Sequence, residues 1–430
     1  MSESRAPDAS SYPSTDGSAL AAAYGAVRDQ TLRLCEPLAT EDYVLQCMAE
    51  SSPTRWHIAH VTWFFERFIL QEHVSGYEPY DARYYFLFNS YYQALGPRHG
   101  RAQRGDLSRP TVDEIRAYRQ VVDERMVTLL GTADDTVLGR VAPLLTLGLN
   151  HEQQHQELLL TDLKVNLSQN PLHPVYRPLP EPVATPPAEA TWIEFDGGIR
   201  SIGTGPEDGF HYDNEGPRHE VLLRPYALAS RPVSNAEYLA FVEDGGYEHP
   251  SYWLDLGYSR VRSEGWNHPL YWERVDDTWH EYTLGGLRAL APAEPVCHLS
   301  YFEADAFARW AEHRLPTEAE WECAAAGLPL TGHFADAEHA QPMAAPAAAG
   351  LQQMFGTVWE WTSSAYSAYP GYRPPPGAVG EYNGKFMCNQ YVLRGGSHGT
   401  PAGHIRASYR NFFPPESRWQ FAGLRLARDL

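Results

Sequence analysis

Two histidines stand four residues apart in His151-Glu-Gln-Gln-His155-Gln-Glu157, inside an apolar-periodic stretch from Leu144 to Leu167. On a helix that spacing puts both imidazoles on one face, one turn apart, so both can reach a single metal ion. Glu157 lies two positions past His155, roughly 200° around the helix, and points away from the pair. A third ligand must come from elsewhere, and Arg55-Trp-His57-Ile-Ala-His60, on an earlier helical segment, offers two candidates. Three neutral imidazoles with open positions suit Fe(II), Zn(II) or Ni(II) and do not favour Mg or Ca. The competing reading of each histidine is a hydrogen-bonded core residue, since an i, i+4 pair can arise by accident.

Helices must position these groups, and the pattern over residues 18–168 supplies four. Leu20–Leu34 shows mixed apolar periodicity and Trp56–Leu70 a strongly apolar stripe. Thr111 with Glu114 forms a capping box ahead of Ile115–Leu130, and Val141–Leu167 is the longest and most apolar segment. Four such helices predict an up-down bundle whose core can hold a metal between facing helices. The connection Tyr77–Pro110 is too long for a simple link and carries Tyr84, Tyr85, Phe86, Phe88, Tyr91, Tyr92, Arg98, Arg101 and Arg104. A loop of that length and composition is functional rather than disordered.

The seven prolines of Pro171–Ala190 predict a stiff extended linker. Beyond it, short aromatic strands with Gly/Pro punctuation predict an α+β domain over 191–430. Capping boxes at Ser234/Glu237, Ser300/Glu303 and Thr317/Glu320 place its helices. The stretch Met1–Gly17 is polar, lacks the apolar core of a signal peptide and reads as a disordered tail.

A chain of 430 residues exceeds one ordinary core, in keeping with two domains. No apolar run approaches the ~18 residues that cross a bilayer. The formal charge of -20 argues against nucleic acid or an anionic membrane as partner, since both require a basic surface. Five scattered cysteines with no CxxC give neither a disulfide framework nor a thiolate zinc site and suit a reducing cytoplasm.

The second domain resembles the formylglycine-generating-enzyme-like fold, an irregular relative of C-type lectin domains. Pro232-Val-Ser-Asn-Ala-Glu-Tyr238, Arg314-Leu-Pro-Thr-Glu-Ala-Glu-Trp321, Gly356-Thr-Val-Trp-Glu-Trp361 and Leu393-Arg-Gly-Gly-Ser397 carry that resemblance. The first domain is similar to DinB-like metal-binding bundles through Trp56-His-Ile-Ala-His60 and the His151/His155 pair. In this order the two domains resemble the ergothioneine-type sulfoxide synthases, which are non-haem iron enzymes.

The resemblance implies a set of roles. The iron ligands fall on His60, His151 and His155, leaving His57 as a structural neighbour. Gln154 matches a position facing the imidazole of hercynine, Asn411 one approaching its quaternary ammonium, and Phe412 an aromatic face for that cation. The implied reaction uses O2 as co-substrate and joins cysteine sulfur to C2 of the hercynine imidazole as a sulfoxide. Relatives that take γ-glutamylcysteine carry an Asp and an Arg where this chain has Phe413 and Ser417. Their catalytic tyrosine lies in the second domain, within a stretch that here reads Tyr372-Arg-Pro-Pro-Pro-Gly377. This chain instead has Asn89-Ser-Tyr-Tyr92, as in the cysteine-using branch, so Tyr91 or Tyr92 is the expected proton donor. Arg98, Arg101 and Arg104 are by default solvated loop charges, but one or two of them, Arg101 first and Arg98 second, could hold the cysteine carboxylate because a guanidinium fork matches it bidentately.

Three rivals keep parts of this scheme: a selenosugar donor, a γ-glutamylcysteine donor, and a DinB-type thiol transferase using Zn(II). Formylglycine generation is disfavoured, because no cysteine pair follows Gly395-Gly-Ser397.

Overall fold

The computed structural model describes residues 16–182, 184–337 and 339–430. The expected N-terminal tail lies outside the described residues as far as 15. Its last two residues open the first helix instead, with the Asp16 side chain accepting from the Ser18 N–H at 2.9 Å. The chain divides into two compact units, Met1–Pro171 with Pro375–Tyr382, and Leu172–Pro374 with Asn383–Leu430. Among the described residues no helix is long and apolar enough to cross a membrane.

The first unit is built on four long helices: α1 Gly17–Cys35, α2 Thr54–Phe65, α3 Val112–Thr132 and α4 Asp135–Ser168. Every residue of α2 is buried, which marks it as the central helix. It runs on through a π-helical turn, Glu66–Leu70, to His73. The α3 start is the predicted capping box, with the Thr111 N–H donating to the Glu114 carboxylate at 2.6 Å and the Glu114 N–H to Thr111 Oγ1 at 3.2 Å. Helix α4 begins six residues before the expected Val141. Asp134 caps it through the Val137 N–H at 2.9 Å, and Pro143 is carried inside.

Gly148 sits one turn before His151 and lets α4 approach α2. A Cβ there would lie 2.6 Å from the Phe65 ring and 2.9 Å from that of Phe64. Beneath the histidines a buried polar network ties three helices together. The Glu152 carboxylate accepts from Arg28 and Arg119 at 2.8 Å each and from Thr31 Oγ1 at 2.6 Å. Burial pushes the Glu152 carboxyl up, but Arg119 and Arg28 outweigh it and hold the group at about 2.

The second unit is α+β as expected. Its largest sheet has four strands in the order Asn411–Phe413, Tyr391–Arg394, Trp359–Ala365 and Ala422–Gly423, the last pairing parallel and the others antiparallel. All three predicted capping boxes form, opening helices Asn235–Glu243, Tyr301–Trp310 and Glu318–Ala325. A further helix, Asp255–Glu264, carries no capping side chain that could have announced it. Within this unit, part of the proline-rich stretch packs along a hairpin. The Tyr176 N–H donates to the Leu284 carbonyl at 2.8 Å, and Tyr282 Oη to that of Pro174 at 2.8 Å.

Candidate metal centre

Helices α2 and α4 bring His60, His151 and His155 together, with one ring nitrogen of each lying within 4.8 Å of the others. His60 Nε2 and His151 Nε2 face each other at 3.2 Å. The three ligand groups are buried. Two imidazole nitrogens at this distance repel as lone pairs unless a proton or a cation lies between them, and the arrangement is one that could hold an ion. Burial keeps all three rings neutral: it pushes His151 down to about 3, and lowers His60 and His155 well below the usual histidine range. Neutral, convergent imidazoles are the form that binds a transition metal, and the donor set fits iron(II).

Outer partners fix which nitrogen two of the three rings present, those of His60 and His155. His60 Nδ1 donates to the Phe88 carbonyl at 2.6 Å, leaving Nε2 for a metal. His155 Nδ1 meets His57 Nδ1 at 2.8 Å, and His57 Nε2 meets the Asp162 carboxylate at 3.0 Å. The consistent proton order runs His155 Nδ1–H to His57, then His57 Nε2–H to Asp162, with His155 Nε2 left for the ion. His57 is therefore a neighbour that orients a ligand, and it does not itself point into the cluster.

The expected tyrosines fare differently. Tyr92 is fully buried against Trp63 and Phe68, at ring distances of 5.8 and 5.2 Å. Burial drives its hydroxyl above the usual tyrosine range, and Tyr91 Oη lies 3.4 Å from it. The tyrosine set against the histidines is Tyr382, from the segment Pro375–Tyr382 that belongs to the first unit. Its hydroxyl donates to Gln154 Oε1, and its ring lies 5.6 Å from that of His151 and 5.9 Å from that of Tyr91. Glu381 secures the segment by accepting from the Gln93 and Ala94 N–H groups at 3.0 and 2.8 Å. The stretch Tyr372–Gly377 ends five residues before Tyr382. Tyr372 instead donates to Asp213 at 2.7 Å within the second unit. The sequence carries no local signal for Tyr382, because its contact with Gln154 spans 228 residues.

Arg98 and Arg101 are both exposed. Arg98 donates to the Ser90 carbonyl, and the Arg101 carbonyl accepts from Gln46 Nε2 at 2.9 Å. The buried arginine of this loop is Arg104, whose guanidinium lies 3.3 Å from the centroid of the Trp56 ring. In the second unit Asn411, Phe412 and Phe413 form a half-buried edge strand. Phe412 stacks on Tyr366 at 4.0 Å and Phe413 meets Trp419 at 6.0 Å. Asn411 Oδ1 accepts from the Phe412 N–H at 2.9 Å. Ser417 is buried, and the adjacent Arg418 is committed to Glu303 at 2.8 Å.

A three-histidine bundle carried on a DinB-type scaffold and joined to an α+β unit of the sulfatase-modifying-factor kind defines the class of protein. The chain matches the DinB superfamily over residues 23–159 and the sulfatase-modifying factor enzyme 1-like domain over 177–348 and 336–430. It is 32% identical to the hercynine oxygenase of Mycolicibacterium smegmatis, over 94% of this chain and 97% of that one. With the hercynine oxygenase of Mycobacterium tuberculosis it shares 31% identity over the same fractions. The formylglycine-generating enzyme of Streptomyces coelicolor is 29% identical over 58% of this chain and 93% of its own. The chain belongs to the hercynine oxygenase family of ergothioneine biosynthesis, and it is an oxygenase.

Proposed function

We propose that this chain joins the sulfur of cysteine to C2 of the hercynine imidazole, giving a sulfoxide, with iron(II) held by His60, His151 and His155 and O2 as co-substrate. The observation that carries the proposal is the convergence of three neutral imidazoles beside Gln154 and Tyr382. Bound iron(II) would supply thiolate ligation and activation of O2. The protein's own part is to keep the histidines unprotonated, to orient hercynine and to deliver a proton. Gln154 suits the first hydrogen bond to the hercynine imidazole, and Tyr382, already bonded to Gln154, is the group we assign as proton donor in place of Tyr91 and Tyr92. Asn411 and the face of Phe412 are the groups suited to the trimethylammonium of hercynine. Arg98 and Arg101 are the candidates for the donor carboxylate. All five cysteines are free thiols, which fits a reducing cytoplasm.

Cysteine is favoured as donor over γ-glutamylcysteine by Phe413 and Ser417. The first offers no charge and the second only a buried hydroxyl, and Arg418 is already paired. Burying a zwitterionic arm without partners costs several kcal/mol, on the order of a hundredfold in transition-state binding. The position of Tyr382 removes one reason for that choice, since a tyrosine from the second half of the chain does reach the histidines. Turnover of iron-loaded protein with hercynine and each of cysteine, γ-glutamylcysteine and a selenosugar tests the assignment. We expect kcat/KM for cysteine to exceed the others by at least about tenfold. Equal use of two donors would overturn it.

A further inference from the structure

Arg104 is a buried guanidinium in direct contact with no carboxylate, Asp162 acting on its charge from a distance. Among the described residues it has no ion-pair partner, and its Nε–H is buried without a hydrogen-bond acceptor. Its two terminal nitrogens donate to Ser52 Oγ at 2.8 Å and Ser90 Oγ at 3.2 Å. Burial, reinforced by the charge of Arg101, lowers its proton affinity well below that of an ordinary arginine. An unpaired buried cation carries a desolvation cost that a methionine of similar length would not, set against its contact with the Trp56 face and two hydroxyls.

What Arg104 does have is a place on two routes to the metal ligands. Its guanidinium lies on Trp56, and the Trp56 indole stacks on His60 at 4.6 Å with 12° between the planes. Ser52, which accepts from Arg104, gives its own N–H to Asp162 at 2.8 Å, and Asp162 leads through His57 to His155. On the other side Ser90 accepts from Arg104 through its hydroxyl and from Arg98 through its carbonyl. The loop carrying Arg98 is thereby joined to both His60 and His155.

We propose that Arg104 is a positioning residue that couples the donor-binding loop to two of the three metal-ligand histidines, so that donor capture and ligand geometry depend on each other. The ligand-side half stands on this geometry alone, and the donor-side half rests on the function proposed above. The planar fork matters as well as the charge, since only a guanidinium can lie flat on the indole while donating to two hydroxyls.

Co(II) is the probe, followed by its visible spectrum, with cysteine then titrated into the Co(II)-loaded full-length protein and thermal melting recorded in parallel. For Arg104→Met we expect an unchanged or raised Tm, with Co(II) and cysteine each bound about tenfold more weakly, the loss typical of a partner behind a metal ligand. Arg104→Lys should fail to restore either. Ser90→Ala, which cuts the loop link alone, should weaken cysteine about threefold to tenfold and leave Co(II) binding unchanged. Co(II) and cysteine affinities within twofold of wild type in both Arg104 variants would overturn the proposal. So would a collapse of Tm in Arg104→Met that Arg104→Lys repairs together with binding, since that pattern marks a packing role. If wild-type Co(II) protein takes up no cysteine, the donor assignment fails, and the Co(II) affinities still decide whether Arg104 acts on the histidines.

Discussion

His151 and His155 come from one helix and His60 from the helix packed against it, whereas the tyrosine beside them arrives on an irregular segment from the far half of the sequence. The histidine side is set by helical geometry, by a glycine that lets two helices close, and by outer partners that fix the His60 and His155 rings. The tyrosine side is held by a few loop contacts, chiefly Glu381 accepting from two backbone N–H groups and Tyr382 bonded to Gln154. The first is a rigid binding framework and the second an adjustable one, which is the division expected when one fold serves several related reactions.

The largest effect should come from the rigid side. His60→Ala or His155→Ala removes one of three ligands and should weaken Co(II) binding by at least about a thousandfold, measured by titration. Retention of wild-type affinity in either variant would break the distinction at its base. Next is Tyr382→Phe, expected to lower sulfoxide formation about a hundredfold and shift product towards cysteine sulfinate, read by mass. Tyr92→Phe, a change within an aromatic core, should alter product ratios little. The opposite ranking of these two variants would return the proton-donor role to the Tyr91/Tyr92 pair.

Asp162→Asn leaves the ligands in place but disturbs the proton order through His57, and Co(II) affinity should fall about tenfold. Gly148→Ala should cost about 1–3 kcal/mol by calorimetry, because the added methyl meets the Phe65 and Phe64 rings. A gain in stability there would show that α2 and α4 have room to spare.

The last test is a pH dependence of the metal-free protein. His151 ordinarily titrates at 6.5 and is held by burial at about 3 in the folded state. Unfolding therefore takes up protons below pH 6.5, and stability should decline as pH falls from there towards 3. Glu152 acts lower: its folded value of about 2 lies below the ordinary 4.5, so its contribution is present above 4.5 and lost between 4.5 and 2. Tm measured from pH 8 to 3 should fall below pH 6.5 and more steeply below 4.5, and metal loading should delay the first decline.

The same contrast explains what could be read from the sequence. Periodicity and capping chemistry are local, so the four helices, the Thr111 box and the three boxes of the second unit were visible to within a few residues. The i, i+4 histidines were visible for the same reason. Choosing His60 over His57 needed the resemblance, because residues three apart on a helix share roughly one face. Tyr382 and Arg104 were not singled out, since nothing local separates a tyrosine in a loop, or the fourth of five loop arginines, from its neighbours. Their surroundings are made by contacts across the fold: Ser52 and Trp56 for Arg104, Gln154 and His151 for Tyr382.

The most direct test is a single turnover series. Protein reconstituted anaerobically with Fe(II), and in parallel with Zn(II), is mixed with hercynine and cysteine, exposed to O2, and its products are weighed by mass spectrometry. The iron protein should form the sulfoxide that joins cysteine to the hercynine ring, and the zinc protein should form none. The same product from both metals, or cysteine sulfinate alone from the iron protein with hercynine untouched, would contradict the assignment of oxidative C–S bond formation to the His60, His151 and His155 centre.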